Sequence, residues 1–288
     1  MVFLNGKFMP IEEARVPVLD RGFIFGDGVY ELVPVYSRVP FRLDEHLARL
    51  ERSLAAVRIR SPYSRAEWRD IILQLVAKQS FEDQGVYFQV TRGVAKRDHA
   101  FPKDAAPTVF LMSNPLVTPP EALVKSGASA VTAVDDRWLH CDIKSTSLIG
   151  NCLLRQVSVD AGATETILFR AGWLTEASAS NVFVVKGGAI LSPPKSSLIL
   201  PGITYDVVLE LAQAAGLPLE LRDISEAEVR GADELWLTSS SKEVLPVVAL
   251  DGKPVGDGKP GPAFRRMYAL YQEFKQKVMR AGKEKRAA

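Results

Sequence analysis

Near the start of the chain, apolar and polar positions alternate in short runs, punctuated by Asn5-Gly6 and Gly26-Asp27-Gly28. The runs Phe3 to Phe8, Arg15 to Val18 and Val29 to Tyr36 read as strands, because a period of two puts alternate side chains on one face of a pleated strand. The period then lengthens. Leu47, Leu50, Leu54 and Val57 recur at three- and four-residue steps from Asp44 to about Arg58, and Trp68, Ile71, Ile72, Leu75 and Val76 do so between Ser64 and Gln79. Each set is one face of a helix, with Asp44 and Ser64 as N-caps whose side-chain oxygens can accept from first-turn N–H groups. Strand patterns return at Val86 to Thr91 and Thr108 to Met112. Asn114-Pro115 and Pro119-Pro120 bracket a short stiff connection, and the domain boundary is placed there, giving domains 1–118 and 119–288.

Beyond the boundary the pattern predicts a strand over Ala128 to Val134 and a helix near Leu148 to Ala161. A hairpin pairs Thr166 to Phe169 with Asn181 to Val185, and a helix runs from Pro201-Gly202 to Ala215-Gly216, where glycine supplies the stop. Strands follow at Leu235 to Thr238 and Val247 to Leu250. Phe264, Met267, Tyr268, Tyr271 and Phe274 line one face of a last helix, and the charges from Lys275 to Arg286 read as its solvated end. Strands and helices do not alternate strictly, so the fold class is mixed α/β (α+β) in two domains.

Composition narrows the function. At 288 residues, 47% hydrophobic and 24% charged, the chain can bury a sizeable core. Its net charge is only +2 and the basic residues are scattered among acids, so no nucleic-acid partner is expected. No apolar run approaches the roughly 18 residues of a membrane span, and the N-terminus lacks a signal-peptide pattern. A cytoplasmic, membrane-free location is the default expectation. Cys141 and Cys152 show neither metal-ligand nor CxxC spacing; both read as buried or inert thiols, and no metal site is expected.

Several residues stand out as candidate chemistry. Lys144 follows the apolar-leaning Trp138 to Ile143 and precedes Ser145-Thr146-Ser147. Taken alone it reads as a solvated loop lysine; at a strand-to-helix junction facing a cleft, desolvation would make its amine nucleophilic. Glu176, among small and hydroxyl residues ahead of an apolar strand, is either an exposed turn acid or a carboxylate able to keep a pyridine nitrogen protonated. Leu200-Pro201-Gly202-Ile203-Thr204 opens a helix, whose free N–H groups can seat a phosphate, and Thr238-Ser239-Ser240-Ser241 could add donors to the same group. Arg97-Asp98-His99 lies in a polar loop; with Tyr30 it could bind a carboxylate through guanidinium, imidazole and phenol donors. Of the other histidines, His46 reads as structural and His140 is ambiguous.

In order along the chain stand Asp20-Arg21-Gly22, Phe25-Gly26-Asp27-Gly28-Val29-Tyr30-Glu31, Glu45-His46-Leu47, Arg49-Leu50 and Tyr87-Phe88-Gln89-Val90-Thr91-Arg92-Gly93. Arg137-Trp138, Cys141-Asp142-Ile143-Lys144, Thr175-Glu176, Ser180-Asn181-Val182-Phe183 and Gly202-Ile203-Thr204 follow. Together these segments resemble the fold-type IV pyridoxal-phosphate enzymes over nearly the whole chain, and within them the D-amino acid aminotransferases. The resemblance implies a two-domain enzyme with pyridoxal 5'-phosphate in the cleft between domains. It makes Lys144 the Schiff-base lysine and pairs Glu176 with the pyridine nitrogen. Arg49, Ile203, Thr204 and Ser240 would hold the phosphate. Tyr30, Arg97 and His99 would bind the substrate α-carboxylate, Arg97 and His99 reaching in from the second subunit of a homodimer. The implied reaction is ping-pong transamination, D-alanine and 2-oxoglutarate giving pyruvate and D-glutamate.

Two positions depart from the family pattern: Ser178-Ala179-Ser180 replaces a run of three serines, and Ser240 replaces a threonine. Rival readings are an (R)-amine transaminase, a branched-chain aminotransferase, an aminodeoxychorismate lyase, or a non-catalytic protein that binds the cofactor.

Overall fold

The computed structural model describes residues 1–281, which fall into two compact units. The first comprises Met1–Leu116, Ile143–Leu148 and residues 279–281; the second comprises Val117–Asp142 and Ile149–Val278.

The first unit holds strands β1 (Val2–Leu4), β2 (Lys7–Met9), β3 (Gly28–Tyr36), β4 (Val39–Pro40), β5 (Gln84–Thr91) and β6 (Thr108–Pro115). They form one antiparallel sheet in the order β2-β1-β6-β5-β3-β4. Its helices are α1 (Arg21–Phe25), α2 (Leu43–Ala56) and α3 (Arg65–Ala77). Val29, Val33, Val86, Phe88, Val90 and Leu111 project from one face of the sheet into a core shared with Leu47, Leu50, Leu54, Trp68, Ile72 and Leu75 of the helices. Burying each large apolar side chain contributes roughly 1.5–3 kcal/mol relative to leaving it exposed. Strand alternation turns Tyr30, Leu32, Tyr87 and Gln89 to the opposite face, where they are only partly buried.

Ser64 caps α3 as anticipated, with a full capping box to Glu67. Two expectations change. Asp44 sits in the first turn of α2 and the N-cap is Arg42, at φ 49°, with no side-chain cap. Arg15 to Val18 is an exposed connection rather than a strand; Pro17 has no N–H to give a ladder, and Asp20 just beyond it caps α1 by accepting from Gly22 N.

The second unit contains α4 (Glu121–Ser126), β7 (Ala128–Val134), α5 (Ile149–Asp160), β8 (Glu165–Arg170), β9 (Trp173–Ala177), β10 (Asn181–Lys186) and β11 (Ala189–Ser192). These are followed by α6 (Ile203–Ala214), β12 (Leu219–Leu221), α7 (Glu226–Arg230), β13 (Glu234–Ser239), β14 (Glu243–Leu250), β15 (Lys253–Pro254) and α8 (Pro262–Phe274). The sheet order is β12-β11-β10-β13-β14-β7-β8-β9, with β15 on β14. The hairpin anticipated between Thr166–Phe169 and Asn181–Val185 is not formed: β8 turns back into β9, and β10 pairs with β11 and β13. Ala171 and Gly172, at φ 50° and 83°, make the tight turn. Both central residues at positive φ is the geometry a two-residue hairpin favours, but Ala-Gly is a weak sequence signal for it. Lys275 is not solvated; its Nζ lies 2.5 Å from Glu243 Oε1. Lys283 to Arg286 lie outside the described residues. Cys141 is buried, whereas Cys152 is exposed on α5.

Among the described residues no helix is long and apolar enough to cross a membrane.

Candidate active site

Chain order assigns Lys144 to the second domain, but its segment packs with the first unit. The cause is backbone pairing. Ser145 forms a bridge with Val29, Tyr30 N donates to Lys144 O at 2.9 Å, and Thr146 N donates to Gly28 O at 2.9 Å. Lys144 N adds a contact of 3.3 Å to Ser53 Oγ on α2. The segment is irregular rather than a strand-to-helix junction. It holds the half-buried Lys144 side chain with Nζ 4.3 Å from the centroid of the Tyr30 ring. Tyr30 in turn stacks on Tyr87 at 5.6 Å. Burial pushes the Tyr87 phenol up to about 12, so it stays a hydrogen-bond donor, here to Gln89 Oε1 at 2.7 Å.

One residue after Tyr30, Glu31 points the other way and is fully buried. Arg49 of α2 grips it with Nε to Oε1 at 2.7 Å and an Nη2 contact to Oε2 at 2.9 Å, a bidentate pair. His46 Nδ1 lies 2.8 Å from Glu31 Oε2. Burial works against the Glu31 charge, but Arg49 outweighs it and holds the carboxyl well below its ordinary range. A carboxylate only accepts, so His46 donates through Nδ1. Burial, with the charges of Arg49 and Lys144, holds the imidazole below its usual pKa and therefore neutral. Among the described residues His46 Nε2 is buried without a hydrogen-bond partner. His46 is thus a structural histidine that helps to seat Glu31.

In the second unit, Glu176 ends up on β9 rather than in an exposed turn, and it is buried. Arg137 Nη1 donates to its Oε1 at 2.8 Å and Leu200 N to its Oε2 at 2.9 Å. The remaining guanidinium edge of Arg137 binds Asp135 through Nε and Nη2, each at 2.9 Å. Burial pushes the Glu176 carboxyl up to about 7, outweighing the Arg137 charge and the Leu200 N–H. Asp135 is held down at about 2, its burial overcome by Arg137, Thr175 and Arg170.

Two buried hubs join the other loops of this unit. Asn181 Nδ2 donates to Leu200 O at 2.9 Å, and Asn181 pairs in register with Thr238. A Cβ at Gly202 would lie 2.2 Å from Asn181 Oδ1, so any other residue here would push the Asn181 amide out of its place against Leu200 O. No side chain caps that first turn, which carries Ile203 and Thr204. Glu165, wholly buried on β8, accepts from Ser178 Oγ, from Ser180 Oγ at 3.0 Å and from Lys242 Nζ at 2.9 Å. Both serines flanking Ala179 therefore spend their hydroxyls on Glu165, and only Ala179 of the three is exposed. Ser240 lies in the turn after β13, two residues beyond Thr238, whose Oγ1 is buried with no hydrogen-bond partner among the described residues.

Arg97 and His99 lie on an exposed loop. Both face the ring of Phe25, Arg97 with its guanidinium 5.4 Å from the centroid and His99 with ring centroids 5.6 Å apart.

Glu176 makes a pH signature. Between pH 4.5 and about 7 the folded chain keeps a proton on this carboxyl that the unfolded chain has lost, so its contribution to stability declines as pH rises through that window. Glu176→Gln removes the titration. Relative to wild type, the cofactor-free variant should gain stability from pH 5 to pH 8 by roughly 3 kcal/mol. Urea unfolding at the two pH values measures this; an unchanged difference would refute the buried, proton-holding carboxyl.

Arg137, Asn181, Glu31 and Glu165 are the residues sequence reasoning left without roles. Asp135-x-Arg137 was a local hint of a pair, but no sequence signal joins Arg137 to Glu176, nor Glu165 to Lys242, which lies 77 residues away.

Known proteins share this framework. The family described as amino-transferase class IV matches residues 28–250. A D-alanine aminotransferase of Bacillus licheniformis is 41% identical over 94% of this chain and 95% of its own length. One from Listeria monocytogenes is 38% identical, covering 97% of this chain and 96% of its own. Among solved structures, the branched-chain aminotransferase of the archaeon Thermoproteus uzoniensis with norvaline superposes with a TM-score of 0.85 at 25% identity, covering 95% of this chain and 93% of that one. The branched-chain amino acid aminotransferase of Escherichia coli gives 0.86 at 25% identity, over 93% and 91%.

Proposed function

Because the chain belongs to the class IV aminotransferases, we propose that it uses pyridoxal 5'-phosphate to move the amino group of a D-amino acid, D-alanine foremost, to a 2-oxo acid such as 2-oxoglutarate. The observation that carries the cofactor assignment is the second unit's pairing of a buried, proton-holding Glu176 with the uncapped start of α6, tied together through Leu200 and Asn181. The donor set fits the group. First-turn amides at Ile203 and Thr204, the Thr238 hydroxyl, which has no partner among the described residues, and the Ser240 hydroxyl suit a phosphate, and Gly202 lets the backbone approach it. The resemblance to the class IV aminotransferases adds Arg49, which Glu31 orients, as a guanidinium ligand for the phosphate. When bound, the cofactor withdraws electrons from the substrate Cα and so acidifies its hydrogen.

The chain's own residues do the rest. Glu176 would keep a proton on the cofactor's pyridine nitrogen, and Arg137 holds Glu176 in place. Lys144 Nζ would hold the cofactor covalently at rest and, once released, would take the proton from the substrate Cα. Tyr30 Oη, Arg97 and His99 bind the α-carboxylate. Arg97 and His99 serve the neighbouring subunit of a homodimer. Supporting this, they stand on an exposed loop that also carries the large apolar side chain Phe101 (51% exposed), a surface suited to a second copy. The preference for D-alanine rests on the relatives that align across almost the entire chain.

The test is the visible spectrum of the cofactor-loaded protein on addition of D-alanine, L-alanine and L-leucine separately. Bleaching of the bound-cofactor band by D-alanine alone is the expected result. Bleaching by L-leucine alone would make this a branched-chain enzyme, and silence with all three would remove the proposed reaction.

A further inference from the structure

The loop bearing Arg97 and His99 is exposed, yet its frame is fixed from beneath by buried charge. Arg21, 3% exposed on α1, donates through Nη1 to Asp98 O at 2.5 Å and makes a longer contact of 3.4 Å to Ala100 O. Its Nε binds Asp27 Oδ2 at 2.7 Å, and the face of the same guanidinium lies 4.8 Å from the Phe25 centroid. Phe25 is the ring that Arg97 and His99 meet on the loop side. Asp27 also takes Arg92, through Nε at 2.8 Å and Nη2 at 2.9 Å, and the Arg92 guanidinium sits 3.6 Å from the Phe101 centroid at the far end of the loop. One carboxylate thus anchors two arginines that hold the loop at Asp98, between Arg97 and His99, and at Ala100 and Phe101 just beyond them.

We propose that Arg21, anchored by Asp27, is a positioning residue for substrate binding: through Asp98 O and the Phe25 ring it presets Arg97 and His99 for the α-carboxylate without touching substrate. The proposal rests on reading Arg97 and His99 as the carboxylate ligands. The physical reason for such a device is entropic. Ordering an exposed loop on binding costs roughly 1–2 kcal/mol per residue fixed, and a loop already ordered by folding avoids that cost when substrate arrives. Only a planar fork can bond Asp27 and Asp98 O with its edges while covering an aromatic ring with its face; a lysine ammonium can keep the ion pair but not the rest.

The experiment uses the cofactor-loaded enzyme in a cycle of Arg21→Lys, Arg97→Ala and the double variant. Arg97→Ala is judged first: if it leaves KM for D-alanine unchanged, the carboxylate reading itself is wrong and the proposal falls with it. Given a raised KM there, Arg21→Lys should raise KM for D-alanine and for 2-oxoglutarate roughly tenfold. Its kcat, its affinity for pyridoxal phosphate and the melting temperature of the cofactor-free protein should stay near wild type. In the Arg97→Ala background, Arg21→Lys should add little. A KM unchanged by Arg21→Lys, or a further full increase in the double variant, would overturn the proposal. Phe25→Leu tests the same path while leaving every charged group in place: it should raise KM likewise, with Phe25→Tyr restoring it, and a wild-type KM in Phe25→Leu would count against the platform.

Discussion

Lys144→Ala should yield a folded protein that takes up pyridoxal phosphate but cannot be fixed to it by borohydride, with turnover lowered at least ~10³-fold. The size follows from the two tasks assigned to one amine, covalent attachment at rest and proton transfer during reaction. That the variant should fold follows from how the segment is held. Lys144 is tied down by its backbone, through Tyr30 N on its carbonyl and Ser53 Oγ on its N–H, and those contacts survive loss of the side chain. The Nζ contact with the Tyr30 ring is lost, at a cost on the order of 1 kcal/mol. Mass spectrometry after borohydride treatment reads the outcome directly. A stoichiometric covalent adduct in Lys144→Ala, or turnover within tenfold of wild type, would falsify the assignment.

The second large effect is on stability. Arg137→Met should destabilise the cofactor-free protein by about 3–5 kcal/mol, the range for breaking a buried ion pair by removing one partner. Arg137 is 4% exposed at its side chain and bonds two buried carboxyl groups at once, Asp135 and Glu176. Its loss leaves Asp135 with Arg170 at 3.1 Å and leaves the Glu176 carboxyl with the neutral Leu200 N–H at 2.9 Å. Burial has already raised the Glu176 carboxyl, so the variant should recover part of the loss by protonating it at lower pH. Adding Glu176→Gln should restore much of the stability at pH 8, because the stranded charge is then gone. Urea midpoints of the single and double variants measure this. A loss below about 1 kcal/mol in the single variant would mean that the network carries no weight in folding.

The mixture of hits and misses along the chain has a common cause. Periodicity found α2 and α3 and the strand Ala128 to Val134, because which face is buried is written locally in the spacing of Leu, Ile and Val. It failed where partner choice decides: Thr166 to Phe169 was recognisable as a strand, but its neighbour was settled by a two-residue turn with both residues at positive φ. Arg15 to Val18 has the look of a strand and no ladder to join.

The same division runs through the candidate site. By itself the sequence determined the two-domain α/β class, the family, and the identity of the residues put forward: Lys144, Glu176, Arg49, Tyr30, Arg97, His99, Ile203, Thr204 and Ser240. Those follow from residue type and motif order, which are properties of the chain. Only the tertiary structure decided that the Lys144 segment belongs with the first unit, that Glu31 orients Arg49, that Arg137 holds Glu176, and that Arg21 reaches Asp98 across 77 positions of sequence. These are charge pairs and hydrogen bonds whose partners are distant in the chain. A buried charge requires a partner, but which residue supplies it is fixed only when folding brings the two within about 3 Å in an environment with little water to compete.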